Sequence, residues 1–157
     1  MTNSLAAAPR NTLSPIDLYR RALRLAEAIP VSAIQLTSRL AVAHVFWNSA
    51  QSKLASWFVT EQLFAMEYKV PLLPPEIAAL LATGTELVGS VLLALGLMSR
   101  IAALALLGVV SVIQLFVFPE NWGEHLLWAS LLLLIVARGA GAISLDHLAG
   151  RLFASRG

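Results

Sequence analysis

Glu86 sits near the middle of a run that is otherwise apolar, PPEIAALLATGTELVGSVLLALGL from Pro74 to Leu97. In a membrane an unpaired carboxylate at that depth is expensive enough to require a partner or a purpose. Arg39, His44 and Asn48 lie on an earlier apolar run and Gln114 on a later one. Counting about 1.5 Å per helical residue from the ends they would share, Arg39 lies roughly 10 Å deep, Glu86 roughly 16 Å and His44 roughly 18 Å. They can meet. The expected arrangement is an intramembrane polar cluster of Arg39, His44, Asn48, Glu86 and Gln114. In it the Arg39 guanidinium keeps Glu86 ionised, with His44 as a second donor or proton carrier. Two readings of such a cluster stay open: a pocket that binds a quinone headgroup or relays a proton, and a structural ion pair that fixes helix registry.

A second candidate site lies further along. His125 falls between Trp122 and Trp128, an arrangement that could stack or hydrogen-bond a quinone ring at the membrane surface. The plainer reading is an interfacial histidine in an aromatic belt. Gln114 alone reads as interhelical glue. Lys53 and Lys69 could draw an anionic substrate to that end, but acids outnumber them there.

Composition excludes other chemistries. Of 157 residues, 58% are hydrophobic and 13% charged, with no cysteine, and the mean hydropathy is +0.76. A soluble domain has about 25% charged residues, so this is an integral membrane protein. Without cysteine there is no disulfide, thiol nucleophile, Fe–S cluster or thiolate metal site. His44, His125 and His147 show no helical metal-pair spacing, and no basic cluster interleaved with aromatics supports nucleic-acid binding.

The elements that must position these residues follow from hydrophobic periodicity. Residues 1–15 read as a disordered tail. In 16–30, Asp17, Arg20, Arg21, Arg24 and Glu27 share one helical face opposite Ile16, Leu18, Leu25 and Ile29. That suggests either a helix lying in the headgroup region or one packed on the bundle's end. The membrane domain is expected over 31–146, with spans at about 31–51, 75–97, 100–118 and 122–138. In the first span Thr37, His44, Asn48 and Gln51 share one face, and Gln35 and Arg39 another about 140° away, so neither face can be wholly towards lipid. The segment from Trp57 to Phe64 suggests a short interfacial helix before a proline-fixed turn. Gly84, Gly89 and Ser90 would allow close helix approach around Glu86. Ser144 is placed to cap a short helix in a tail over 147–157. The fold class is thus all-α: an integral membrane four-helix bundle with an N-terminal amphipathic interfacial helix and a short periplasmic one.

Four spans put both termini on one side, with Arg10, Arg20, Arg21, Arg24, Arg100, Arg138, Arg151 and Arg156. The other side holds Lys53 and Lys69 against Glu61, Glu67, Glu76, Glu120 and Glu124. By the positive-inside rule both termini are cytoplasmic.

An arginine in the first span followed by FWNSAQSKL, then PxxA…ELVG…LALGLMSRIAA, then GAGAISLD together resemble the DoxX family of small four-helix membrane proteins, over about Ser32 to His147. Ala50 stands where the family's usual residue is glycine. The resemblance implies a bacterial cytoplasmic-membrane location and an association with redox systems, since relatives are similar to thiosulfate:quinone oxidoreductase subunits or accompany superoxide-detoxifying or peptide-maturing systems. The expected function is a non-catalytic membrane subunit or scaffold for a redox or maturation system. The alternative is a quinone-reactive subunit of an oxidoreductase, and a transporter is a weaker third reading. No heme, flavin or metal motif is seen that would carry electrons within the chain, which favours the non-catalytic reading; no cofactor is expected in the chain itself, and a quinone belongs to the alternative. The partners expected are the bilayer, a redox or periplasmic protein, or further copies of the chain.

Overall fold

The computed structural model describes residues 14–154, so the tail expected over 1–15 lies mostly outside the described residues. Among the described residues every regular element is helical. The chain divides into two units, 1–30 and 31–157.

In the first unit, helix α1 spans Pro15–Glu27. Ser14 and Asp17 form a capping box: the Ser14 hydroxyl accepts from the Asp17 amide at 3.2 Å, and the Asp17 carboxylate accepts from the Ser14 amide at 3.3 Å. Pro15 occupies the first turn, where its missing N–H is not needed. Helix α1 therefore begins inside the stretch read as tail. None of its residues is buried, and Ile16, Leu18, Leu25 and Ile29 are all exposed.

The second unit is built on four long helices: α2 (Val31–Ala55), α4 (Pro75–Leu95), α5 (Ser99–Val112, continued as a π turn over Ile113–Val117) and α6 (Trp122–Arg138). Each packs against two others, in the cycle α2, α4, α5, α6. Two of them, Pro75–Leu95 and Ser99–Val117, are by themselves long and apolar enough to cross a membrane. The shared core is formed by Val42, Ala43 and Phe46 of α2, Leu93 of α4, Ala102, Ala103, Leu106 and Val110 of α5, and Leu132 and Ile135 of α6. Outward-facing Leu80, Val88, Leu104, Leu126 and Leu133 are exposed, an apolar surface larger than a soluble monomer carries.

Two shorter helices close the unit. Helix α3 (Trp57–Leu63) widens into a π turn over Phe64–Tyr68, where the Lys69 amide donates to the Phe64 carbonyl at 3.1 Å. Thr60 Oγ1 donates to the Lys53 carbonyl at 2.7 Å and so ties α3 to the end of α2. Helix α7 (Leu145–Ala154) has its Ser144 cap in place, with the Ser144 hydroxyl 3.2 Å from the His147 amide. Asp146 reaches across to accept from the Met98 and Ser99 amides at 2.7 and 3.0 Å. It thereby supplies the N-terminal cap that α5 lacks from its own N-cap residue, Met98.

Close helix approach is realised at one of the two glycines near Glu86. A Cβ on Gly89 would stand 2.9–3.1 Å from the Leu106 side chain, whereas one on Gly84 would meet nothing within 4 Å. Gly84 is therefore not a packing position, since that part of α4 borders open space. Ala50, where the family's usual glycine was noted, is fully buried.

Candidate functional site

Glu86 is 1% exposed and is paired, but with Lys53. Lys53 Nζ donates to Glu86 Oε2 at 2.6 Å and Oε1 at 2.8 Å, and to Ser49 Oγ at 2.7 Å. The expected Arg39–Glu86 pair does not form. Arg39, itself 1% exposed, donates through Nε to the Leu93 carbonyl at 2.9 Å and through its other nitrogens to the carbonyls of Ala94, Ala140 and Ile143.

The reason is directional. Helices α2 and α4 run antiparallel, since Arg39 meets Leu93 while Lys53 meets Glu86. By register Glu86 is about seven residues, roughly 10 Å, from the level of either cation. Side chains on a helix lean towards its N-terminus. Arg39 and Glu86 therefore lean apart, and Lys53 and Glu86 lean together. Arg39 is left beside the carbonyl-rich C-terminal end of α4, where a cation is favoured. Gln35 acts alike at the end of α6, its amide nitrogen donating to the carbonyls of Arg138 and Gly139 at 3.0 and 3.2 Å.

The rest of the proposed polar cluster is also dispersed. His44 and Asn48 are exposed and lie 3.1 Å apart on the outward face of α2, with Thr37 and Gln51. The Arg39 face turns inward, and a face about 140° round the same helix must turn out. Gln114 is buried near the far end of α5, with its amide oxygen 2.6 Å from His125 Nδ1 and its amide nitrogen donating to the Pro119 carbonyl at 2.8 Å. It joins α5 to α6 and touches neither Arg39 nor Glu86.

The structure does assemble a cavity of about 470 Å³ in the half of the four helices nearer Lys69. Lys53 and Glu86 line it, as do Tyr68, Phe118, His125 and Trp128. Its size falls within the range of small-molecule sites. Tyr68 packs edge-on against Phe64 at 5.0 Å and Phe118 at 5.8 Å, and Trp128 lies 5.3 Å from the His125 ring. Both π turns border this space, through Phe64 and Tyr68 on one and Ile113 and Val117 on the other. π turns are frequent at functional sites because they displace the following side chains from the regular helical stagger. Burial pushes the Tyr68 phenol above its ordinary value, with Glu67 and Glu86 adding to the shift.

A family model described as DoxX matches residues 34–119, more than half of the 157. The chain belongs to the DoxX family. It is therefore a membrane protein, in keeping with its apolar helices. The match covers Lys53, Glu86 and Gln114, while His125, Trp128 and α7 lie beyond it. No curated protein and no solved structure compared with this DoxX chain matches it.

Among the sequence candidates, then, the cavity collects Glu86, His125 and Trp128. Trp122 instead faces a separate hollow of about 230 Å³ that His125 and Gln114 also line. Sequence reasoning missed Tyr68 and assigned Lys53 to the loop. A signal for Lys53 existed: Arg39, Phe46 and Lys53 recur every seven residues, which keeps all three on nearly one face of α2. For Tyr68 there was none, because its direction depends on the π turn.

Proposed function

We propose that this DoxX protein is a four-span bundle of the bacterial inner membrane, with both termini cytoplasmic, serving as a subunit of a redox system, and that its cavity binds a quinone headgroup. The observation that carries this reading is the cavity itself: an aromatic-walled space of about 470 Å³ with a buried ion pair in its wall. The donor set suits such a ring. Tyr68, Phe118 and Trp128 offer faces and edges to an aromatic plane, and a ring oxygen would take over one of the three Lys53 N–H groups that Ser49 and Glu86 now share, with Glu86 still offsetting the charge. A quinone, when bound, supplies reversible two-electron, two-proton chemistry. The chain's own residues bind and orient the ring and keep water from it. In the proposed topology the cavity lies in the periplasmic half, under α3, which would rest at that interface. Helix α1, whose apolar face is uncovered, would lie on the cytoplasmic leaflet with its arginines among the headgroups.

Equilibrium binding of a radiolabelled short-chain quinone to the full-length protein in lipid nanodiscs tests the reading. Saturable binding is expected, weakened more than tenfold in the double variant Lys53→Met/Glu86→Leu. Binding that does not saturate, or that matches empty nanodiscs, would overturn it.

A second reading is a non-catalytic scaffold that docks a redox or maturation partner. It is favoured by the outward polar stripe Thr37, His44, Asn48 and Gln51 on α2, which bare lipid would not satisfy. A partner protein's helix or a second copy of the chain would cover it. Cysteine cross-linking from position 44 in native membranes separates these occupants by the mass of the product, and no product at all would remove the reading.

A further inference from the structure

Helix α2 carries a seam that nothing among the described residues covers. Thr37, Ala41, His44, Asn48, Gln51 and Ala55 follow one another at alternating steps of four and three residues, the roughly 3.5-residue repeat of a paired helix. On a straight helix they share a sector of about 80°. All six are exposed, whereas the inward positions Val42, Phe46 and Ala50 are buried in the bundle.

Depth makes that exposure costly. His44, Asn48 and Gln51 lie between Arg39, which meets Leu93, and Lys53, which meets Glu86. Both contacts fall within the length of α4 that is apolar enough to cross a membrane, so the three polar side chains sit at hydrocarbon depth. Local bonds satisfy part of the seam. The Thr37 hydroxyl bonds to the Ala33 and Ile34 carbonyls, both at 3.0 Å, which turns its polar atom back onto its own helix. The Asn48 amide nitrogen donates to His44 Nε2 at 3.1 Å. That leaves Asn48 Oδ1, the second Asn48 N–H and the whole Gln51 amide without a partner among the described residues.

We propose that this seam pairs two copies of the chain, α2 against α2 in parallel about a twofold axis, with each Asn48 amide meeting its counterpart. The inference names the occupant of the polar stripe in the docking reading above and does not need a ring in the cavity. A side-chain amide bears both donor and acceptor, so Asn48 and Gln51 each complement themselves, as an isologous contact requires. Copies inserted alike in one membrane have parallel α2 helices, the orientation in which like positions of the repeat face one another. A single Asn at such a position fixes register and favours two strands. Thr37, Ala41 and Ala55 are small, so the two backbones can approach closely along the same line. Leu40, Trp47 and Leu54, exposed along one flank of the seam, add apolar contact.

The chain has no cysteine, so single cysteines report contact without background. In native membranes, full-length Ala41→Cys and Ala55→Cys should oxidise to a product of twice the chain's mass. Leu80→Cys and Leu104→Cys, on exposed positions of α4 and α5, should not. A benzophenone attached to Ala41→Cys should photo-cross-link to the same doubled mass. Energy transfer between donor- and acceptor-labelled full-length copies in liposomes then gives the affinity as lipid dilutes the protein. Asn48→Leu, at an exposed position outside the core, should raise the dissociation constant about threefold or more. A doubled product from Leu80→Cys instead, or a dissociation constant unmoved by Asn48→Leu, would overturn the inference. A benzophenone product of some other mass, with no doubled chain, would overturn the second copy and leave the docking reading standing. No product of any mass from position 41 would overturn both.

Discussion

Lys53 Nζ donates to both oxygens of Glu86, at 2.6 and 2.8 Å, from a helix position 14 residues beyond Arg39, the partner expected from depth. The Glu86 side chain is 1% exposed and that of Lys53 16%, so the pair is nearly withdrawn from solvent. Removing one partner strands the other charge. Glu86→Gln should destabilise the protein by about 3 kcal/mol, the lower end for breaking a buried pair because Lys53 keeps some exposure. Lys53→Met added to Glu86→Leu should recover most of the loss. Arg39→Leu should rescue nothing and simply add its own cost. Denaturant titrations of these variants in mixed micelles read this directly, and rescue of Glu86→Gln by Arg39→Leu would contradict the pairing.

Gly96 ends α4 at φ +68°, and a Cβ there would stand 2.6 Å from the Ser144 side chain and 2.7 Å from the Arg39 guanidinium. Gly96→Ala meets strain and collision together and should lose about 2 kcal/mol or more. Gly84→Ala, where a Cβ meets nothing, should instead be neutral or slightly stabilising through helix propensity. Thermal unfolding of the two variants side by side makes the comparison.

Asp146 caps α5 from α7, so its loss should loosen the α4–α5 joint without touching the cavity. Asp146→Ala is expected to cost about 1 kcal/mol. Hydrogen exchange should quicken at the amides of Met98 and Ser99 while ligand binding stays unchanged.

Tyr68 titrates above its ordinary value of 10.0 because burial disfavours the phenolate and Glu67 and Glu86 repel it. The folded state therefore holds this proton more tightly than the unfolded one. The contribution to stability is whole below pH 10 or so and is lost as pH rises through the higher folded value. An ultraviolet difference titration between the parent and Tyr68→Phe should place the transition above that of a free tyrosine, and unfolding should lower it. A transition at or below the free value would remove the burial argument.

Much of the architecture could be read before the structure. Apolar run lengths, the Pro74-Pro75 start and the Gly139 stop mark where long helices begin and end, because caps and breakers act locally, although the span expected to reach 97 ends at Leu95 with Gly96 as its cap. Which polar residues meet could not be read from depth alone. Depth put Arg39 beside Glu86, but the lean of side chains on antiparallel helices decided for Lys53. Helical-wheel angles separated the His44 face from the Arg39 face correctly without saying which was inside. The π turns at Phe64–Tyr68 and Ile113–Val117 leave no mark in hydrophobic periodicity, so the cavity they border was hidden.

The central claim is that a ring binds in the cavity between the Lys53–Glu86 pair and the His125–Trp128 pair. Photolabelling with a short-chain azidoquinone, followed by peptide mapping, locates the occupied site most directly. The account predicts competable labels on the 64–68 and 117–128 segments, lost in the Lys53→Met/Glu86→Leu variant. Labels spread over the lipid-facing positions Leu80, Leu104 and Leu133, unaffected by excess unlabelled quinone, would contradict it.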